Sequence, residues 1–202
     1  VTADTYIHYV VTINGNSYSV SYSGGKLSYN AIIPNEDLCF FKEVWVAESR
    51  SAIAPLSSQG TLAKNAYLGF FFNETFTEFD NATDAIKHFD LNYIGLDMNV
   101  ERGGNNQKKF ILKPKDKNYS SFELRHASSG IQTTAPLIAM MNYYAQAFDF
   151  KSAQKRSIID LLFEKNLTTQ YRPEMELTDM PRYVHIHIEE PELSLDPTSQ
   201  IQ

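Results

Sequence analysis

The stretch "VHIHIEEPELSLDP", Val184–Pro197, decides how the chain is interpreted. Apolar residues alternate with histidines over Val184–Ile188, which predicts a β-strand, and Glu189 and Glu190 follow at once. Ligands of open α/β sheets bind at the carboxyl ends of strands. Paired carboxylates there can hold Mg²⁺ through water and can orient or deprotonate an attacking water. The alternative is a polar strand end that leads into a turn at Pro191.

Working outward from this strand, the pattern predicts a mixed α/β fold. β-Branched and aromatic runs separated by Asn-Gly and Gly-Gly turns predict antiparallel strands at 6–13, 17–23, 27–33 and 38–49. Further strands are predicted at 91–101, 108–115, 119–127 and 182–188, with loops at 50–60 and 167–181. Helical periodicity predicts helices at 61–72, 81–89, 133–150 and 151–166. Antiparallel strands therefore come first, and the main helices follow them.

Composition limits the class of protein. The chain has 202 residues, of which 43% are hydrophobic, enough to form a core. A net charge of −6 argues against a general nucleic-acid binder, although it leaves room for a local basic patch. Cys39 is the single cysteine, and no apolar run approaches the ~20 residues of a membrane span. We therefore expect a cytoplasmic protein with no membrane contact.

A second motif, "HASSGIQTTAPLIAMM", spans His126–Met141. Its Ser128-Ser129-Gly130 turn precedes a predicted helix. Hydroxyls and free backbone N–H groups at a helix N-terminus suit an anion such as a γ-phosphate. The alternative is an ordinary serine cap followed by glycine.

Together the two motifs resemble those of ABC-type ATPases, most closely the branch of overcoming-lysogenization-defect proteins and related AAA-annotated ATPases. "IHIEEPELSLDP" is similar to their Walker B strand and D-loop, and the Ser-Ser-Gly turn is similar to their signature loop. The chain departs from the pattern where Glu189 replaces the usual Asp, His185 and His187 replace apolar residues, and Ala127 replaces Leu. The resemblance directly covers Glu123–Pro197 only.

The resemblance implies an incomplete P-loop NTPase fold of the ABC-ATPase type, with ATP and Mg²⁺ as cofactors. It makes Glu190 the catalytic glutamate and Glu189 the residue that holds Mg²⁺. It implies that five further residues contact the nucleotide: Ser128, Ser129, Gly130, Gln132 and Asp196. It also implies a head-to-tail homodimer that acts as an ATP-gated switch, on DNA or on an attached effector.

The P-loop that this family needs, G-x-x-x-x-G-K-[ST], is not found in the sequence. "SGGKLS", Ser23–Ser28, has leucine after its lysine and lies between two predicted strands. "PLSSQG", Pro55–Gly60, is a poor match to the signature, and Gln59 is only a weak match to the family's Q-loop glutamine. We therefore expect an internal piece of an ATPase that is active only in the complete protein. Its parts would be residues 1–126, mainly β with a possible insertion at 61–90, and residues 127–202.

Two other groups of residues have competing interpretations. His185 and His187 could form a metal pair on one strand face, or they could pack and hydrogen-bond within the sheet. A run of five lysines could be a solvated strand edge or a contact for nucleic acid or a partner: Lys108, Lys109, Lys113, Lys115 and Lys117.

The alternative to an ATPase is a non-catalytic interaction or regulatory domain with a degenerate ATPase fold.

Overall fold

A computed structural model describes residues 5–30, 39–57, 69–103, 107–164, 166 and 181–191. Contacts between residues divide the chain into two compact units. The first is Val1–Phe41 with Gln154–Tyr183, and the second is Lys42–Ala153 with Val184–Gln202. Antiparallel sheets and several helices make the fold mixed α/β, as predicted. The functional division proposed at residue 127 rests on motifs rather than on contacts, and it stays a prediction.

The first unit contains a three-stranded antiparallel sheet: β1 (Ile7–Ile13), β2 (Asn16–Ser23) and β3 (Lys26–Asn30). Both hairpins have two-residue loops, because Ile13 pairs with Asn16 and Ser23 pairs with Lys26. Gly24 and Gly25 have φ of 56° and 75°, as a type I′ turn requires. The predicted hairpins are confirmed, and "SGGKLS" is a hairpin turn rather than a phosphate-binding loop.

The second unit contains a four-stranded antiparallel sheet in the order β5 (His88–Leu91), β6 (Leu96–Arg102), β7 (Lys108–Pro114) and β8 (Phe122–Glu123). Two predicted strands were too long. The strand at 91–101 is interrupted by a 3₁₀ turn, Asn92–Ile94, which the left-handed Gly95 ends at φ 67°. Of the strand predicted at 119–127, only β8 is observed, and it ends where the buried Leu124 begins another 3₁₀ turn.

A further pair of strands, β4 (Phe40–Val46) and β9 (Arg182–Ile188), forms a two-stranded sheet. The Phe40 N–H donates to Pro181 at the start of both strands, and the Glu189 N–H donates to Val46 at the end of both, each at 2.9 Å. The strands are therefore parallel, and their carboxyl ends lie at the same edge. The alternation predicted for β9 is observed: Val184, Ile186 and Ile188 pack against the core while the residues between them are exposed.

The helices of the described residues are α1 (Ile53–Ser57), α2 (Phe70–Ala85), α3 (Ser129–Gln146) and α4 (Phe150–Glu164). The predicted loop at 50–60 is wrong over its described residues, since a 3₁₀ turn, Glu48–Ala52, leads into α1. Pro55 is tolerated there because the first helical turn needs no N–H from it. The helix predicted at 81–89 is wrong at both ends. The buried face of Phe72, Thr75, Phe79 and Ala82 runs through Asn81 without a break, and His88 and Phe89 belong to β5.

A buried polar cluster joins β4, α2 and α3 within the second unit. Glu78 is only 6% exposed, and its carboxylate accepts hydrogen bonds from the Lys42 ammonium at 2.7 Å and from the Tyr144 hydroxyl. Burial, then the hydrogen bond to Glu78 and the charge of Glu78, raise the pKa of Tyr144 far above its usual range. Tyr144 is therefore held as a neutral donor to a buried carboxylate.

This cluster predicts alkaline sensitivity. A tyrosine in the unfolded chain ionises near pH ~10, whereas Tyr144 keeps its proton to higher pH in the folded chain. The folded state thus binds more protons above pH ~10, and the free energy of unfolding falls as pH rises. We expect Tyr144→Phe to lower stability by about 1–3 kcal/mol at neutral pH, through loss of the bond to Glu78, and to flatten this alkaline decline. Urea unfolding at neutral pH and at several values above pH ~10 measures both effects.

Tyr119→Phe is the matched control, because Tyr119 is 69% exposed. It should leave the alkaline decline as steep as in the parent chain. An equally steep decline in the Tyr144→Phe chain would contradict the assignment to Tyr144.

Candidate functional site

The two glutamates predicted at the strand end form a bend, Glu189–Glu190, here called the acidic turn. It begins where the Glu189 N–H donates to Val46, at the carboxyl end of both β4 and β9. Glu190 has φ of 44°, in the left-handed region that non-glycine residues seldom adopt. A strained residue of this kind persists only where its surroundings hold it in place.

Arg50 provides that hold. Its side chain is 0% exposed and lies in the 3₁₀ turn that follows β4. One guanidinium nitrogen donates to the Glu189 carbonyl at 2.6 Å and to the Ala47 carbonyl at 3.1 Å, and the other donates to the Glu190 carbonyl at 2.6 Å. The planar fork of arginine suits this convergent set of acceptors. Arg50 therefore ties the end of β4 to both residues of the acidic turn.

The two carboxylates have different surroundings. One oxygen of Glu189 accepts the Glu48 N–H at 3.2 Å, which directs that side chain toward the end of β4. Among the described residues, the exposed carboxylate of Glu190 has no hydrogen-bond or ion-pair partner. The donor set suits Mg²⁺, which prefers carboxylate and water oxygens, and it leaves Glu190 able to accept a proton.

The Ser-Ser-Gly turn lies at the start of α3, as predicted. Ser128 has extended backbone angles and is the N-cap residue, yet its hydroxyl makes no capping hydrogen bond. Ser128 and Ser129 are exposed. The plain serine-cap alternative would use that hydroxyl on the helix N–H groups. The geometry thus leaves an exposed hydroxyl next to free N–H groups at the positive end of a helix.

Gln132 has a structural role in this conformation. Its side-chain amide donates to the carbonyls of Arg125 at 3.0 Å and Ala127 at 2.9 Å. These bonds hold the preceding turn against α3, so the amide protons are engaged within the chain. Contact of Gln132 with a nucleotide stays a prediction, and contact through its amide protons would require these bonds to be given up or shared.

The structure brings the predicted site residues together in two groups within the second unit: the acidic turn, and Ser128–Gly130 with Gln132. Within the described part of the chain, no hydrogen bond or ion pair joins the two groups. Asp196 and Gln59 lie outside the described residues. The separation into two groups is compatible with the two-protomer site that the resemblance implies, and it does not test it.

A third group lies on the exposed face of β4 and β9. The Glu43 carboxylate contacts His187 Nε2 at 2.7 Å and His185 Nδ1 at 3.3 Å. The His187 ring stacks on Trp45, with centroids 4.2 Å apart. The hydrogen bond with His187 holds the pKa of Glu43 below its usual range; partial desolvation opposes this shift and the charges of both histidines add to it. Hydrogen bonding of the histidines within the sheet, one of the two predicted alternatives, is observed.

Two residues of these groups, Arg50 and Glu43, are not predicted from the sequence. Both contact residues about 140 positions away, through the β4–β9 pairing, so no local pattern indicates them. The alternation in "FFKEVWV" does place Glu43 and Trp45 on one face. It could not indicate which strand lies beside them.

The lysine run is partly neutralised by aspartates. Lys108, with 11% of its side chain exposed, lies 2.7 Å from Asp80 and 3.0 Å from Asp84. Lys115 lies 2.8 Å from Asp90. These ion pairs favour the strand-edge interpretation over a nucleic-acid contact, which would need uncompensated positive charge.

Comparison with known proteins identifies no family for this chain. No family model, no curated protein and no solved structure matches this chain. Among the described helices, none has both the length and the apolar character needed to cross a membrane.

Proposed function

We propose that this chain is part of the head domain of an ABC-type ATPase and acts as an ATP-gated dimeric switch. The observation that carries the proposal is the acidic turn: two carboxylates at the carboxyl end of a parallel strand pair, anchored through both of their carbonyls by the buried Arg50. This is the edge at which α/β proteins bind their ligands. The finer assignment, a P-loop NTPase fold, rests on the motif resemblance together with this geometry.

Each acid has its own proposed role. Glu190, whose carboxylate is exposed, would orient the attacking water and accept its proton. Glu189, beside the end of β4, would hold a water ligand of Mg²⁺. Bound Mg²⁺ would neutralise charge on the phosphates of ATP. A rigid turn matters because a misplaced base loses most of its effect.

Ser128, Ser129 and Gly130 would receive the γ-phosphate of ATP held by the opposite protomer. The supporting observation is that the Ser128 hydroxyl is exposed and does not cap its own helix. The P-loop that binds most of the nucleotide is not among these 202 residues. Asp196 is proposed to act beside the same nucleotide. A cytoplasmic location, and DNA or an attached effector as the partner, belong to the same proposal.

The signature assignment predicts an effect on association. In the complete protein carrying Glu190→Gln, Ser128→Arg should abolish ATP-dependent dimerisation and leave ATP binding within a few-fold, because the added bulk fills the space that faces the γ-phosphate. Sedimentation with and without ATP measures this.

Ser120→Arg in the same background is the matched control, since Ser120 is also an exposed serine outside any helix. It should dimerise with ATP as the parent does. If the Ser128→Arg protein still dimerises with ATP, the signature assignment fails.

One observation favours the second candidate, a non-catalytic interaction domain. The first sheet exposes large apolar side chains, among them Tyr9 at 64%, Leu27 at 65% and Tyr29 at 74%. Exposed apolar side chains of this size are common at protein–protein interfaces. The two candidates differ in one measurement: an interaction domain would give a complete protein without Mg²⁺-dependent ATP hydrolysis.

A further inference from the structure

The exposed face shared by β4 and β9 places three metal-binding side chains together. The ligand atoms of Glu43, His185 and His187 all lie within 4.8 Å of one another. His185 and His187 share one face of β9 because side chains alternate along a strand. Glu43 lies opposite them on the parallel neighbour. The three side chains are 45–55% exposed, so an ion could reach them from solvent.

The three ligand atoms favour Zn²⁺ over Mg²⁺ and Ca²⁺. Two imidazoles with one carboxylate form a ligand set typical of zinc sites that keep an open position. Mg²⁺ and Ca²⁺ prefer oxygen ligands and are not expected to compete well for imidazole nitrogen. An exposed glutamate carboxylate is ionised at neutral pH and can bind a cation.

Two of the three ligand pairs need little rearrangement, and the third pair, the two imidazole nitrogens, must approach from a separation of up to 4.8 Å. Ligands about 2.0–2.2 Å from a tetrahedral ion stand roughly 3.2–3.6 Å apart. His185 Nδ1 and the Glu43 carboxylate are already 3.3 Å apart, whereas His187 Nε2 and Glu43 must separate slightly from 2.7 Å. The stack on Trp45 restrains the His187 ring, with an angle of 12° between the two planes. An oriented ring loses less conformational entropy when it binds an ion.

We propose that Glu43, His185 and His187 form a Zn²⁺ site whose fourth position is open to water. The site would link β4 to β9 on the face opposite the core. It is separate from the acidic turn, and it does not depend on the proposed ATPase function. Because the three ligands come together only in the folded chain, bound Zn²⁺ would stabilise the fold.

The test is Zn²⁺ binding to the 202-residue chain, prepared without a histidine tag and measured by titration calorimetry in excess Mg²⁺. We expect one Zn²⁺ per chain and a higher midpoint of thermal unfolding. His185→Ala, His187→Ala and Glu43→Gln should each weaken binding by about 10-fold or more, which is the scale of losses at zinc sites. Co²⁺ in place of Zn²⁺ should give the visible absorption of a tetrahedral site, and His187→Ala should remove it.

His88→Gln is the matched control, because His88 is an exposed strand histidine that hydrogen-bonds Asn99 instead of the cluster. It should bind Zn²⁺ as the parent chain does. Circular dichroism verifies that each variant is folded. If an alanine variant does not fold, Glu43→Gln still tests the site, because glutamine keeps the size of the side chain. Absence of saturable Zn²⁺ binding to the parent chain would overturn the proposal, as would undiminished binding by the folded His185→Ala/His187→Ala double variant. Such ligands bind Zn²⁺ more tightly than Fe²⁺. Absence of Zn²⁺ binding would therefore also argue against an iron site at these three residues.

Discussion

Replacing Glu190 with glutamine should lower ATP hydrolysis by the complete protein by on the order of 10²-fold or more, while ATP binding stays intact. Glutamine keeps the size of the side chain but cannot accept a proton from water. It also keeps the main-chain carbonyl that Arg50 binds, so the acidic turn should retain its shape. Phosphate release under saturating ATP measures the rate, and equilibrium nucleotide binding provides the comparison.

Two further variants make the result specific. Glu189→Gln should also slow hydrolysis, but its defect should be partly relieved by higher Mg²⁺, because the proposed role of Glu189 is to hold the metal. Glu101→Gln, at an exposed position of β6, should leave the rate unchanged. An unchanged rate in the Glu190→Gln protein would show that Glu190 is only a polar strand end. Identical behaviour of the Glu189 and Glu190 variants at every Mg²⁺ concentration would remove the division of roles.

Local signals account for the parts of the fold that sequence predicted well. Asn14-Gly15 and Gly24-Gly25 specify two-residue turns by backbone chemistry alone, so both hairpins follow from the sequence. The alternation over Arg182–Ile188 and the helical period after Gly130 are equally local. A local signal misleads where tertiary packing overrides it. Asn81 looked like a helix cap, but the buried face of α2 continues past it.

The residues that organise the candidate site depend on pairing across the chain. Glu189 and Glu190 could be identified from their place at a strand end, but the anchor that fixes them could not. Arg50 lies in a segment with turn-like composition, and its role appears only when β4 lies parallel to β9. Glu43 becomes a neighbour of the two histidines for the same reason. One non-local event, the pairing of these strands, creates both features.

Replacing Arg50 with methionine should destabilise the chain by about 2–4 kcal/mol, the scale expected when hydrogen-bonded acceptors lose a buried partner. Methionine fills much of the buried volume but donates no hydrogen bond. The carbonyls of Ala47, Glu189 and Glu190 would lose the guanidinium, and only those that reach water could be compensated. Glu190 would also lose the contact that holds its left-handed backbone. Urea unfolding of the 202-residue chain measures the change.

Arg50→Lys separates charge from geometry, since lysine keeps the positive charge but lacks the planar fork that reaches convergent acceptors. We expect it to restore less than half of the lost stability. Arg102→Met is the surface control: the Arg102 side chain is 56% exposed and pairs with Asp84, and exposed pairs of this kind contribute about 0–1 kcal/mol. If Arg50→Met costs no more than Arg102→Met, the guanidinium does not anchor the acidic turn. The rigid base that the proposed hydrolysis requires would then need another support.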